Sequence, residues 1–114
     1  MNFDEMQTEA LRLCRLIDQG VAAMVNAGEQ LAVAEHNYRK ARAVAWDEIT
    51  DGTAGHREAL VDGTTADLRM IRDKAEAARR GAIEAVRARQ GQLSALQTLM
   101  SAYRAEAEFV RTAP

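Results

Sequence analysis

At 114 residues, with a net charge of −2 and one cysteine, the chain has room for a single domain with a marginal core and no internal disulfide. Its weak acidity excludes a strongly basic nucleic-acid coat, though not a local basic surface. No apolar run reaches half the length of a membrane span, and the acidic start Met1-Asn2-Phe3-Asp4-Glu5 lacks the features of a signal peptide. The expected compartment is therefore the cytoplasm, where a lone thiol stays reduced.

Alanine, glutamate, arginine and leucine dominate, and the one proline is the last residue, Pro114. That is the composition of long helices. A first helix is expected over about 4–49, capped by Asp4, with Glu5 favourable to its dipole. Along it Met6, Ala10, Leu13, Ile17, Gly20, Met24, Ala27, Leu31, Ala34, Tyr38, Ala41 and Ala45 alternate steps of four and three. This heptad stripe needs a second helix lying against it. Gly20 falls on the stripe, which predicts a close helix approach.

The segment 50–64 reads as a turn region. Thr50-Asp51-Gly52-Thr53-Ala54-Gly55 stops the first helix, His56–Val61 can add one or two helical turns, and Asp62-Gly63 breaks the chain again. Thr64 or Thr65 then offers a cap for a second long helix over about 65–111, with Asp67 in its first turn. Its apolar stripe reads Leu68, Ile71, Ala75, Ala78, Ala82, Ala85 or Val86, Arg89, Leu93, Leu96, Met100, Tyr103, Ala107 and Val110. An extra step of four between Ala82 and Leu93 predicts a stutter. The expected fold is all-α: one domain, 1–114, forming a long antiparallel, coiled-coil-like two-helix hairpin. Its end near the chain termini carries large side chains and its loop end mainly alanine, so the former should anchor stability.

Leu11, Val21, Val25, Val33, Ile83, Leu99 and Phe109 lie off the stripes, and two helices cannot cover them all. Self-association into a four-helix or larger bundle is the plainest remedy, and a groove for another protein is the alternative. The interface residues so expected are Leu11, Val21, Val25, Leu99 and Phe109. Trp46, just before the turn, either packs over the hairpin tip or serves as an exposed anchor for a partner.

Little else suggests chemistry. His36 and His56 have no Cys or carboxylate at a metal-ligand spacing, and Glu35-His36 lacks the second histidine of a zinc-protease helix. Cys14 has no base placed to activate it. No cofactor or metal is expected, and the chain reads as non-enzymatic. Residues 69–89 hold seven cations against three acids. Arg72, Arg79, Arg80 and Arg87 are the candidate phosphate contacts in that stretch. Against this, Arg69/Asp73, Arg72/Glu76, Glu76/Arg80 and Arg80/Glu84 have the spacing of paired charges on a solvated face, and no aromatics interleave.

Tyr38-Arg39-Lys40-Ala41, Thr53, Arg57-Glu58-Ala59, Asp62, Leu93-Ser94-Ala95-Leu96-Gln97-Thr98 and Arg104-Ala105-Glu106 resemble small helical-hairpin accessory proteins of tailed phages and prophages of actinobacteria. That resemblance covers about 70 residues and supplies no active residues. It implies a phage-encoded adaptor or inhibitor that presents a helical surface to a host or phage protein. The alternative is a non-specific nucleic-acid-binding accessory of recombination or replication, working through 69–89. The chain is also similar in length to WXG-type secreted hairpins, but Trp46-Asp47-Glu48 lacks their glycine and Ala107 stands where their signal needs an acid.

Overall fold

The computed structural model describes residues 1–114 as three helices and no strand: α1 (Phe3–Glu48), α2 (Ala54–Thr64) and α3 (Ala66–Thr112). The start of α1 is set by Asn2 rather than Asp4. The Glu5 amide donates to Asn2 Oδ1 at 2.8 Å, and the Glu5 carboxylate accepts from the Asn2 backbone and side-chain nitrogens at 3.4 Å. The two residues thus satisfy each other in a reciprocal capping box.

The turn is shorter than expected because α2 occupies most of 50–64. Gly52, at φ 92°, reverses the chain in a conformation that disfavours other residues. Thr53 then caps α2 by accepting the His56 amide at 3.2 Å. Asp62-Gly63 does not break the chain. Packing overrides its turn propensity: Val61 has no solvent exposure, and Asp62 holds Arg42 of α1 in an ion pair. The break falls instead at Thr65, whose φ of −104° and ψ of 8° leave the helical region. Its hydroxyl donates back to the Val61 carbonyl at 2.8 Å, so Thr65 gives α3 no side-chain cap.

The chain divides into two compact units, Met1–Ala23 with Ala82–Pro114, and Met24–Gly81. In the first, Met6, Leu13 and Leu96 form the buried centre, with Ala10, Leu93 and Met100 packed around it. Phe3 stacks on Tyr103 with ring centroids 5.5 Å apart. Gly20 lies so near α3 that an added Cβ would sit 2.8 Å from a methyl of Val86. Both pairs have residue numbers summing to 106, which fixes an antiparallel register. In the second unit Ala34, Tyr38, Ala45 and Val61 are buried, and α2 together with the start of α3 runs antiparallel to α1.

All twelve α1 stripe positions are buried or half-buried. The α3 seam departs from its apolar reading at two places. Ile71 is 51% exposed and Ala78 is exposed, while Arg72 and Arg79 stand on the seam side. The Arg72 guanidinium covers the Tyr38 ring at 4.7 Å. Arg79 Nε lies 3.7 Å from where a Cβ on Gly28 would be. With those two arginines counted, the seam runs Leu68, Arg72, Ala75, Arg79, Ala82, Val86, Arg89, Leu93, Leu96, Met100 in unbroken steps of four and three. The expected stutter is absent, because arginine stems and guanidinium planes fill positions that a hydrophobicity count skips. Beyond Met100 only the Phe3–Tyr103 stack continues the seam, and all of 101–114 is exposed, Ala107 and Val110 included.

Candidate functional site

Three parts of the surface stand out: the tip of the second unit, the basic stretch and the uncovered apolar side chains. At the tip, α1 ends with no cation in its last turn, so its free carbonyls look elsewhere for donors. Arg57 of α2 supplies them. Its Nε donates to the Ile49 carbonyl at 2.5 Å, a second nitrogen donates to the Trp46 carbonyl, and the guanidinium covers the Trp46 ring at 4.6 Å. Trp46 is therefore half-buried beneath α2 rather than free-standing. Arg42, further back on α1, pairs with Asp62 and lies 3.9 Å from Glu58, both on α2. The hydrogen bond it donates to Asp62 holds the Arg42 guanidinium more firmly charged than usual. By sequence Arg42 reads only as part of a basic surface with Arg39 and Lys40, and Arg57 has no assigned role; the missing cation at the end of α1 is the available signal.

The basic stretch is partly spoken for. Arg80 pairs with Glu76 at 3.0 Å and Arg87 with Glu84 at 2.9 Å. Arg72 bonds Asp73 at 2.8 Å, which raises its pKa above the ordinary arginine value. Of the four i,i+4 pairs read from the sequence, only Glu76/Arg80 forms an ion pair. Lys74 and Arg79 are exposed and make no ion pair. Arg89 is half-buried on the seam and has no acid facing it, so its stem serves as packing.

The expected interface residues are placed as follows. Leu11 is 63% exposed, Leu99 57% and Phe109 73%, all in the first unit. Val21, also there, and Val25, in the second unit, are exposed as well. On α1 the spacing sets Leu11, Cys14, Asp18 and Val21 along one flank, with a carboxylate at its middle. On α3 an open apolar groove beside Ala95 and Leu99 reaches across to Met6 and Leu13 of α1, and the Glu9–Arg12 ion pair of 2.5 Å lies at its rim. The bond from Arg12 holds the Glu9 carboxyl below its usual range.

His36 and His56 are exposed, Cys14 is an exposed free thiol, and no three metal-ligating side chains gather anywhere. No helix is long and apolar enough to cross a membrane. Neither a protein-family model, a curated protein nor a solved structure matches the chain.

Proposed function

We propose that this chain is a non-enzymatic interaction protein, a helical hairpin that associates with itself and displays a helical surface to a protein partner as an adaptor or inhibitor. The observation that carries the reading is the uncovered apolar surface. Leu11, Leu99 and Phe109 each expose more than half their area. The phage-hairpin resemblance agrees with such a role, in which the protein works in the host cytoplasm on a host or phage protein.

Binding of nucleic acid through 69–89 is the second reading. Lys74 and Arg79, which lack acidic partners, support it, while the acids beside Arg72, Arg80 and Arg87 weigh against it. Pull-down of the tagged chain from lysate of its host, with and without nuclease, separates the two. One protein retained after nuclease supports the interaction reading. Loss of all bound material on nuclease treatment, and loss of nucleic-acid binding in an Arg79→Glu/Arg80→Glu variant, would replace it with the nucleic-acid reading.

A further inference from the structure

The longest charge-free run in α3 lies in the first unit. From Gln90 to Tyr103, fourteen consecutive residues carry no ionisable acid or base other than the Tyr103 phenol, in a chain of which 28% is Asp, Glu, Lys or Arg. Of this run Leu93, Leu96 and Met100 pack against α1, and Tyr103 stacks on Phe3 while staying 44% exposed; the other ten are exposed. A helix that is solvated on its outer faces has no reason to lose its charges over four turns, whereas one that is buried there has every reason, since desolvating a charge is costly. Glutamine, serine, threonine and alanine can be covered at little cost if the amides and hydroxyls find partners.

Resting on the self-association reading above, we infer that the occupant is a second copy of this chain, and that the two copies pair antiparallel through this face of α3. The face is self-complementary in that sense alone. Its exposed positions by helical spacing are Ala85, Ala88, Gln92, Ala95, Leu99, Tyr103 and Val110, with Glu106 the one acid among them. With the two-fold axis between Ala95 and Leu99, each large side chain meets a smaller uncharged one: Leu99 meets Ala95, Tyr103 meets Gln92 and Val110 meets Ala85 of the other copy. Glu106 comes level with Ala88 of the other copy, so no like charge opposes it. A parallel pairing would set Glu106 beside Glu106 and Arg104 beside Arg104, and would stack the large residues on one another. The open groove beside Ala95 and Leu99 receives the opposite Leu99, and its two charged side chains, Glu9 and Arg12, pair with each other. The competing flank of α1 carries Asp18, which has no cationic partner, between Cys14 and Val21, so covering that flank with a second copy would desolvate an unpaired carboxylate.

The test is sedimentation equilibrium of the full chain and of two single variants, with helicity checked by circular dichroism. The wild type should be a dimer at micromolar concentration. Leu99→Glu should raise its dissociation constant by at least thirtyfold, roughly the loss typical of a central interface residue. Val21→Glu should leave it within about threefold of wild type, as expected for a site outside the interface. As a check that survives poor folding of Leu99→Glu, Ala95→Cys and Leu99→Cys proteins, each also Cys14→Ser, should form a mixed disulfide when combined and oxidised. A dimer that persists in Leu99→Glu, or that Val21→Glu dissociates, overturns this face while leaving self-association standing. Absence of the mixed disulfide in a dimeric mixture overturns it equally. A wild type that stays monomeric at high concentration overturns self-association and this face together.

Discussion

Gly20 provides the sharpest test of how α1 and α3 meet in the first unit. Alanine is favoured over glycine inside a helix by about 1 kcal/mol, so propensity alone predicts that Gly20→Ala stabilises the protein. Packing predicts the reverse. The new methyl would stand 2.8 Å from a methyl of Val86, a residue only 6% exposed. Val86 is β-branched, and in a helix it has one strongly preferred rotamer, so it cannot swing aside. Overpacking of this kind costs about 1–3 kcal/mol, which exceeds the propensity gain and leaves a net loss of about 1 kcal/mol. The same substitution made on a Val86→Ala background should then be favourable by about 1 kcal/mol, because the obstacle is gone and only the propensity gain remains. Urea melts of the four proteins at one fixed chain concentration would give a coupling energy of about 2 kcal/mol. Gly81→Ala is the internal standard, since nothing lies within 4 Å of its added methyl. It should stabilise by about the full 1 kcal/mol. Stabilisation of the wild type by Gly20→Ala, equal to that at Gly81 and with no coupling to Val86, would refute the close approach.

Further expectations concern the second unit and the N-terminal turn. Val61→Ala removes two fully buried carbons and should cost about 2 kcal/mol by chemical denaturation, whereas Leu60→Ala, at a position 43% exposed, should cost less than about 1 kcal/mol. Arg57→Ala strips the donors from the Ile49 and Trp46 carbonyls and the cover from the indole, so a loss of about 1–2 kcal/mol is expected, together with a red shift of Trp46 fluorescence. Arg57→Lys should recover only part of this, because an ammonium cannot span both carbonyls as the planar fork does. Glu9 should titrate below an ordinary glutamate in an NMR pH series, and Arg12→Ala should return it to the usual range. Its folded-state pKa is depressed, so what the pair adds to stability is present above the ordinary glutamate pKa. That contribution fades as pH falls through the lowered value.

Much of the fold could be read from α1, where every stripe residue is one a hydrophobicity count selects. The same rule misplaced two seam positions in α3. It preferred Ile71 to Arg72 and Ala78 to Arg79 because it cannot know that Tyr38 and Gly28 stand opposite and can receive a guanidinium. Those two substitutions of apolar for cationic positions created the supposed stutter. Asp62-Gly63 misled for a related reason: local turn propensity is weak beside the burial of Val61 and the Arg42–Asp62 pair, both of which depend on residues distant in sequence. Val110 continues the heptad rhythm but lies beyond the covered seam, and the rhythm by itself does not say what covers a stripe. The exposed Leu11, Val21, Val25, Leu99 and Phe109 were legible as off-stripe apolars, whereas the engagement of Trp46 by Arg57 was not.

The arginines on the α3 seam also bear on how the hairpin would respond to polyanions. Arg72 lies on Tyr38, so a phosphate chain can claim its guanidinium only by drawing it off α1. An anion that bound through Arg72 would favour the parted form of the second unit and lower the melting temperature. One that bound through Lys74 and Arg80, both on the outer surface, would raise it instead. The sign of a heparin-induced shift in melting thus reports which cations a polyanion uses.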